Sequence, residues 1–465
     1  MGAGALGLIT MQNEFSTARM RTIFDDKNRL DKMCQVERAF AKAQGELGII
    51  PKEASDCIQK TVRVKNIAIR ELYLESAKAG HFTSGFVTYF SKRLGEEAGQ
   101  YIHYGLTTQD VLDTATVLIL RDAHRVILDN MESLLREQIK QVRKYRQTII
   151  VGHAHGQVAA PTTLGYQLAI VLDELGRYYK ELHEIASFVF TGAFAGVVGT
   201  YASFGPQAQS IVEKACQQLD LSVPTLCWHT QRDRFIDYAH ILAKFSGVLG
   251  KLGQDLFDAS RSEIGEFEEG YVSGRQGSTT IPTIRPPYLC EILINLNQLI
   301  CQEMPLMYQS SRITGEKDTI AWRNQWVALP NICLYLSGQV NAARALIRYG
   351  RWKRTQIAKN VQQKKTEIMS EALMFALGRK IGKQRAHALL YEVMNHAQNR
   401  GLSLHEELIH NQRILSIVSI KKLEETLKPS TYIGLATKKG RPSCEEYFRF
   451  NNLFFRKKRL NGKKN

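Results

Sequence analysis

From about Val111 to Arg146 the chain reads as a single helix of unusual length. Apolar side chains at Val111, Ala115, Val117, Leu118, Leu120, Val126, Ile127, Met131, Leu134 and Leu135 recur at helical intervals, with few glycines or prolines to interrupt them. Similar stretches occupy roughly 164–190 and 231–266, and two more follow Pro287. Strand-like alternation is almost absent. A long helix with one apolar stripe has to bury that stripe against its neighbours, so the predicted fold is all-α with a long central helical bundle. Upstream, Leu30, Met33, Val36, Phe40 and Ala43 step by three or four until Gly48 and Pro51 end the pattern, and downstream Gly378, Gly382, Gly401, Pro429 and Gly434 punctuate shorter amphipathic helices. The expected organisation is a helical N-terminal domain over 1–110, the bundle over 111–365, a small helical C-terminal domain over 366–436 and a basic tail over 437–465.

Composition narrows the setting. A chain of 465 residues with 44% hydrophobic and 23% charged content can bury a sizeable core. No apolar run is long enough to span a bilayer, and Met1-Gly2-Ala3-Gly4-Ala5-Leu6 carries neither a basic secretory n-region nor a myristoylation-type Ser or Thr. The eight cysteines are scattered without Cys-x-x-Cys pairs, which suits buried thiols in a reducing compartment. A cytoplasmic protein without structural metal, cofactor or membrane partner is expected. Sixty-two basic against forty-five acidic residues leave a net charge of +17, concentrated in a tail that includes Lys438, Lys439, Arg441, Arg456, Lys457, Lys458 and Arg459. Such a patch can hold polyanions, but no nucleic-acid-binding motif accompanies it. The reading is therefore a solvated tail and a field that attracts small anionic substrates, with nucleic acid not expected as a partner.

Three sequence blocks carry chemistry. The first is His103-Tyr104-Gly105-Leu106-Thr107-Thr108-Gln109-Asp110-Val111-Leu112-Asp113-Thr114-Ala115. The second is Gly152-His153-Ala154-His155-Gly156-Gln157, followed by Pro161-Thr162-Thr163-Leu164-Gly165. The third is Gly277-Ser278-Thr279-Thr280-Ile281-Pro282-Thr283-Ile284-Arg285-Pro286-Pro287. In content and order they resemble the H-x-G-x-T-S-x-D-x-x-D-T-A, G-R-T-H-x-Q and G-S-S-x-M-P-x-K-x-N-P blocks of the fumarase/aspartase lyase superfamily. Further similarities are Gly196-Val197-Val198-Gly199-Thr200 and the segment Trp228-His229-Thr230-Gln231-Arg232-Asp233-Arg234. Ala321-Trp322 with Gln325-Trp326-Val327-Ala328-Leu329-Pro330 adds another. The tryptophan segments resemble the 3-carboxy-cis,cis-muconate cycloisomerase branch, whereas His81 stands where adenylosuccinate lyases carry a histidine. The resemblance runs from about Phe15 to about Ala436. It implies a homotetramer with active sites shared between subunits, acting on a small anionic substrate.

Elimination beside a carboxylate needs a base for a weakly acidic C–H, an acid for the leaving heteroatom, and positive or dipolar groups for the charge that builds up. The resemblance makes Ser278 the base, on a loop able to close over substrate. The plain alternative is a turn serine that bonds its own backbone. It makes His155 the proton carrier, backed by Glu291, while His153 is read as structural. A helix starting near Tyr288 would bury Leu289, Ile292, Leu293 and Leu296 and leave Glu291 on the flank. Thr107-Thr108-Gln109-Asp110 reads as a helix-capping arrangement, and such an end also binds a carboxylate. Gln231, Arg232 and His81 are further candidate substrate contacts, although an internal salt bridge in Arg232-Asp233-Arg234 is an equal alternative for one arginine.

The third block departs from the pattern where it matters. The lysine and asparagine that hold the substrate carboxylate in the superfamily fall on Ile284 and Pro286, and the Glu-His-Glu-Arg-like segment reads Glu316-Lys317-Asp318-Thr319. One well-placed donor to a developing oxyanion contributes roughly 3–4 kcal/mol, so losing two would slow an unmodified reaction by thousands-fold. Either Arg285 compensates through a changed loop register, or the substrate lacks that carboxylate, or the step is no longer catalysed. The leading expectation is a lyase that cleaves a C–N or other C–heteroatom bond of a succinyl-like substrate and releases fumarate or an analogue. The alternatives are a muconate-type cycloisomerase and a catalytically lapsed homologue.

Overall fold

The computed structural model describes residues 4–270 and 277–439. The stretch Gly274-Arg275-Gln276 and all of the basic tail from 440 onward lie outside the described residues. The main elements, in chain order, begin with α1 (Asp26–Glu46), α2 (Lys52–Thr61), α3 (Phe82–Ala98) and α4 (Thr108–Lys144). They continue through β1 (Ile149–Ala154), β2 (Gln157–Thr163), α5 (Leu164–Val189), α6 (Ala208–Leu219), α7 (Asp233–Ser260), β3 (Phe267–Glu268), α8 (Tyr288–Gln309), α9 (Thr319–Tyr349) and β4 (Arg351–Trp352). The C-terminal helices are α10 (Arg354–Gln363), α11 (Ser370–Ile381), α12 (Lys383–Asn399), α13 (Leu404–His410) and α14 (Ile420–Thr426). The chain is all-α in class, and the long helices of the sequence pattern are α4, α5, α7, α8 and α9. At 1.5 Å per residue, the 37 residues of α4 extend for roughly 55 Å.

Two compact units divide the chain, each assembled from three segments. The first comprises Met1–Glu132, Tyr178–Gly250 and Ile292–Ala342; the second comprises Ser133–Arg177, Lys251–Glu291 and Ala343–Asn465.

In the first unit, Asp25 caps α1 by accepting the Asn28 N–H at 2.7 Å, and the stripe Leu30, Met33, Val36, Phe40 and Ala43 is buried as its spacing requires. Phe40 stacks against Phe194 at 5.3 Å and meets the tilted ring of Phe204 at 4.9 Å, which fastens the loop after α5 onto α1. Gln339 on α9 reaches the carbonyls of Ser246 at 3.1 Å and Leu293 at 2.8 Å, so one buried amide ties α7, α8 and α9 together. Gly250 is required where α7 meets α8, since a Cβ there would lie 2.9 Å from Asn297.

The second unit has its own core, in which Leu373, Leu377, Leu389, Val393, Leu408 and Leu423 of the C-terminal helices pack together with Val151 of β1. Ser403 and Glu406 form a reciprocal capping box at the start of α13. Strand structure is more than the near-absence of alternation suggests: β1 and β2 form an antiparallel hairpin, and β3 pairs with β4. The hairpin turns through His155 and Gly156, whose φ values of 53° and 75° are both left-handed. That is the geometry of a two-residue turn matched to strand twist, and an X-Gly pair supplies it. The β-branched runs Ile149-Ile150-Val151 and Thr162-Thr163 flank it.

Candidate active site

The N-terminus of α4 carries a dense, buried polar assembly in the first unit. Asp110, fully buried in its first turn, accepts the Thr107 N–H at 2.8 Å, which is the acidic half of a capping box. It also accepts the N–H groups of Ala195 at 2.8 Å and Gly196, and faces His229 Nε2 at 3.1 Å. One turn further on, Asp113 takes both terminal nitrogens of Arg232 at 2.7 and 2.8 Å, Trp322 Nε1 at 3.0 Å and Gln109 Nε2 at 3.1 Å. Spaced three apart on one helix, the two carboxylates fasten the 193–196 loop, the Trp228–Arg234 segment and the start of α9 to a single point. Burial opposes a charge on His229, but Asp110 and Cys227 outweigh it and raise its pKa to about 10. In the same way His103, 2.6 Å from Glu37, has its pKa raised against the opposing effect of burial.

Around this frame lie the candidate binding residues of the first unit. Thr107 is only 8% exposed, and its hydroxyl oxygen accepts Lys317 Nζ at 2.7 Å instead of capping α4. Thr108 is half-buried beside it, and Gln231 is exposed. Arg232 is fully buried with its guanidinium occupied by Asp113, by Gln325 at 2.7 and 3.1 Å and by the His229 carbonyl, so it is held in a salt bridge, but not one within Arg232-Asp233-Arg234. Its carboxylate is Asp113 rather than the adjacent Asp233. His81 is exposed at the N-cap of α3. Lys317, half-buried, is the residue that sequence reading passed over. Its pKa is lowered chiefly by burial, against the pull of Asp110, Asp113 and Cys227. The departure from the Glu-His-Glu-Arg-like pattern at this position was the available signal.

The remaining candidates belong to the second unit. Ser278 is half-buried, and its Oγ accepts the N–H groups of Thr280 at 3.2 Å and Ile281 at 3.0 Å. The loop is pinched at Gly277, where a Cβ would meet the Ile284 carbonyl at 2.3 Å. Ile284 and Arg285 are exposed. Helix α8 starts at Tyr288, its first N–H groups held by Glu269 at 2.6 Å (Leu289) and 3.1 Å (Cys290), while Glu291 points away from the buried Leu293 and Leu296. His155 stands exposed at the tip of the β1–β2 hairpin. No hydrogen bond or ion pair joins His155, Ser278 and Glu291 to one another among the described residues.

A family model described as "Lyase" matches residues 12–302, and one described as "Adenylosuccinate lyase C-terminus" matches 367–439. The chain belongs to the fumarase/aspartase lyase superfamily. This lyase is 36% identical to the N-acetyl-S-(2-succino)cysteine lyase of Enterococcus italicus, over 94% of its own length and 96% of that protein's. It is 35% identical, with the same coverage of both chains, to the protein of that name from Dickeya dadantii. Among solved structures, 3-carboxy-cis,cis-muconate lactonizing enzyme from Pseudomonas putida matches with a TM-score of 0.86 at 29% identity, covering 94% of this lyase and 98% of that chain. No helix among the described residues is long and apolar enough to cross a membrane.

Proposed function

We propose that this lyase eliminates a thiol from a succinyl thioether to give fumarate. The observation that carries the reading is the nearly full-length likeness to two N-acetyl-S-(2-succino)cysteine lyases. In the reaction a base removes a proton from the CH2 beside one carboxylate, the electron pair becomes the C=C bond, the C–S bond breaks and the sulfur departs as thiolate. A thiol with a pKa near 8.5 leaves with less proton assistance than an amine would need, which relaxes the demand on the general acid. Ser278 is the base, and the two backbone N–H groups on its Oγ favour the alkoxide form that a serine base requires. His155 and Glu291 manage the proton taken up by the leaving group. Thr107, Thr108, Gln231 and His81 receive the carboxylates, Arg285 approaches from the Ser278 loop, and Arg232 serves by fixing the segment that carries Gln231. The enzyme works in the cytoplasm as a homotetramer whose sites draw on more than one subunit. Exposed apolar side chains on α9, Ile320 at 80% and Val327 at 55%, suit burial against another copy.

A cycloisomerase reading is favoured by the structural likeness to the lactonizing enzyme and by the Trp322–Trp326 pair, whose rings lie 4.9 Å apart. A substrate panel separates the two. N-acetyl-S-(2-succino)cysteine, its N-linked counterpart N-succinyl amino acid, and 3-carboxy-cis,cis-muconate are each offered to the enzyme. Equimolar fumarate and free thiol from the thioether, well above turnover of the other two, is the expected result. Preferential consumption of the muconate would replace this reading with the second.

A further inference from the structure

We propose that Lys317 is the cation that receives a substrate carboxylate at the start of α4. This assignment rests on the dicarboxylate substrate of the proposed function, but its evidence lies within the first unit alone.

Lys317 Nζ sits 2.7 Å from Thr107 Oγ1. Because that oxygen accepts, the hydroxyl proton of the nine-tenths buried Thr107 is free to donate, and no acceptor for it exists among the described residues. The charges around the pair do not balance. Asp110 is engaged by His229 and Asp113 by Arg232, and no carboxylate lies within ion-pair distance of Lys317 among the described residues. His103 and Glu37 form a further pair that cancels itself. Asp110 is already satisfied by the Thr107, Ala195 and Gly196 N–H groups and Asp113 by Arg232, so among the described residues Lys317 stands without a carboxylate of its own beside the positive end of a 37-residue helix. Desolvation already costs the ammonium part of its charge preference, as its lowered pKa records. A carboxylate bound between Nζ, the Thr107 hydroxyl and the first N–H groups of α4 supplies the missing negative charge and accepts each unused donor. Lys317 lies just ahead of α9, whose buried Trp322 and Gln325 are held by Asp113 and Arg232, so the charge is carried on a fixed frame.

The test measures binding rather than turnover. Succinate and fumarate are titrated calorimetrically into the full-length enzyme and into Lys317→Met and Lys317→Arg, with thermal melts to confirm folding. Lys317→Met should weaken both dicarboxylates about 10- to 100-fold, as loss of a charge-assisted hydrogen bond implies, and Lys317→Arg should recover most of the affinity. Dicarboxylate affinity in folded Lys317→Met within twofold of the parent would overturn the assignment, and so would a parent enzyme that binds neither dicarboxylate. If Lys317→Met does not fold, Lys317→Arg and Thr107→Val carry the test: affinity kept by the first and lost by the second supports the site, and affinity unchanged in the second overturns it. A parent that binds both and loses them in Lys317→Met, yet leaves the thioether intact, would remove the thioether reading and leave Lys317 in place.

Discussion

Asp110 and Asp113 show how two buried residues can set the geometry of a candidate site by fastening distant segments together. Each is buried and each satisfies donors from segments distant in sequence: Arg232 is 119 residues from Asp113, and the Ala195 N–H is 85 from Asp110. A buried ion pair adds little net stability because desolvation offsets its attraction, yet removing one partner strands the other at a cost of about 3–5 kcal/mol. His229 makes this measurable through pH. Its folded pKa is about 10 against an ordinary 6.5, so its contribution to stability is fully present below about pH 6.5 and is lost as pH rises through about 10. His229→Gln should therefore melt well below the parent at about pH 6, and the gap should narrow steadily toward about pH 10. His103 is shifted in the same direction and titrates in both proteins, so it cancels in the comparison. A gap independent of pH would show that His229 is held neutral.

At the scale of elements, what the sequence disclosed is what local periodicity can disclose. The stripe from Val111 to Leu135 implied a helix far longer than average, and α4 runs from Thr108 to Lys144. Tyr288 was read as the start of a helix because Pro286 and Pro287 end whatever precedes it, and α8 begins there. The β1–β2 hairpin escaped because its strands are short and interrupted by a bulge between Val151 and His153, which breaks the two-residue alternation. His155-Gly156 between β-branched runs is the usable signal, since an X-Gly pair suits a two-residue turn. The candidate site divides along the same line. Thr107 and Asp110 were legible as a helix start because their relation is local. Lys317 was not, since its partner Thr107 lies 210 residues away and no periodic pattern encodes that distance. Arg232 was left open between a salt bridge and a substrate contact, because the carboxylate that decides the matter, Asp113, is far off in the chain.

For the whole molecule, the candidate residues fall in two groups: His81, Thr107, Thr108, Gln231, Arg232 and Lys317 in the first unit, and His155, Ser278, Glu291 and Arg285 in the second. Shared sites in a homotetramer are proposed on the likeness to the superfamily. Light scattering at micromolar concentration should give four times the chain mass; a well-folded monomer would contradict the assembly and the shared site together. The account as a whole stands on Ser278 as the group that takes the proton. The deciding measurement is fumarate release from N-acetyl-S-(2-succino)cysteine by the parent and by Ser278→Ala, with substrate binding followed in parallel. The account predicts turnover lower by roughly 10²- to 10⁴-fold with affinity nearly unchanged, since a base acts in the transition state and not in the bound ground state. Turnover retained in Ser278→Ala would contradict it and assign the proton to another group.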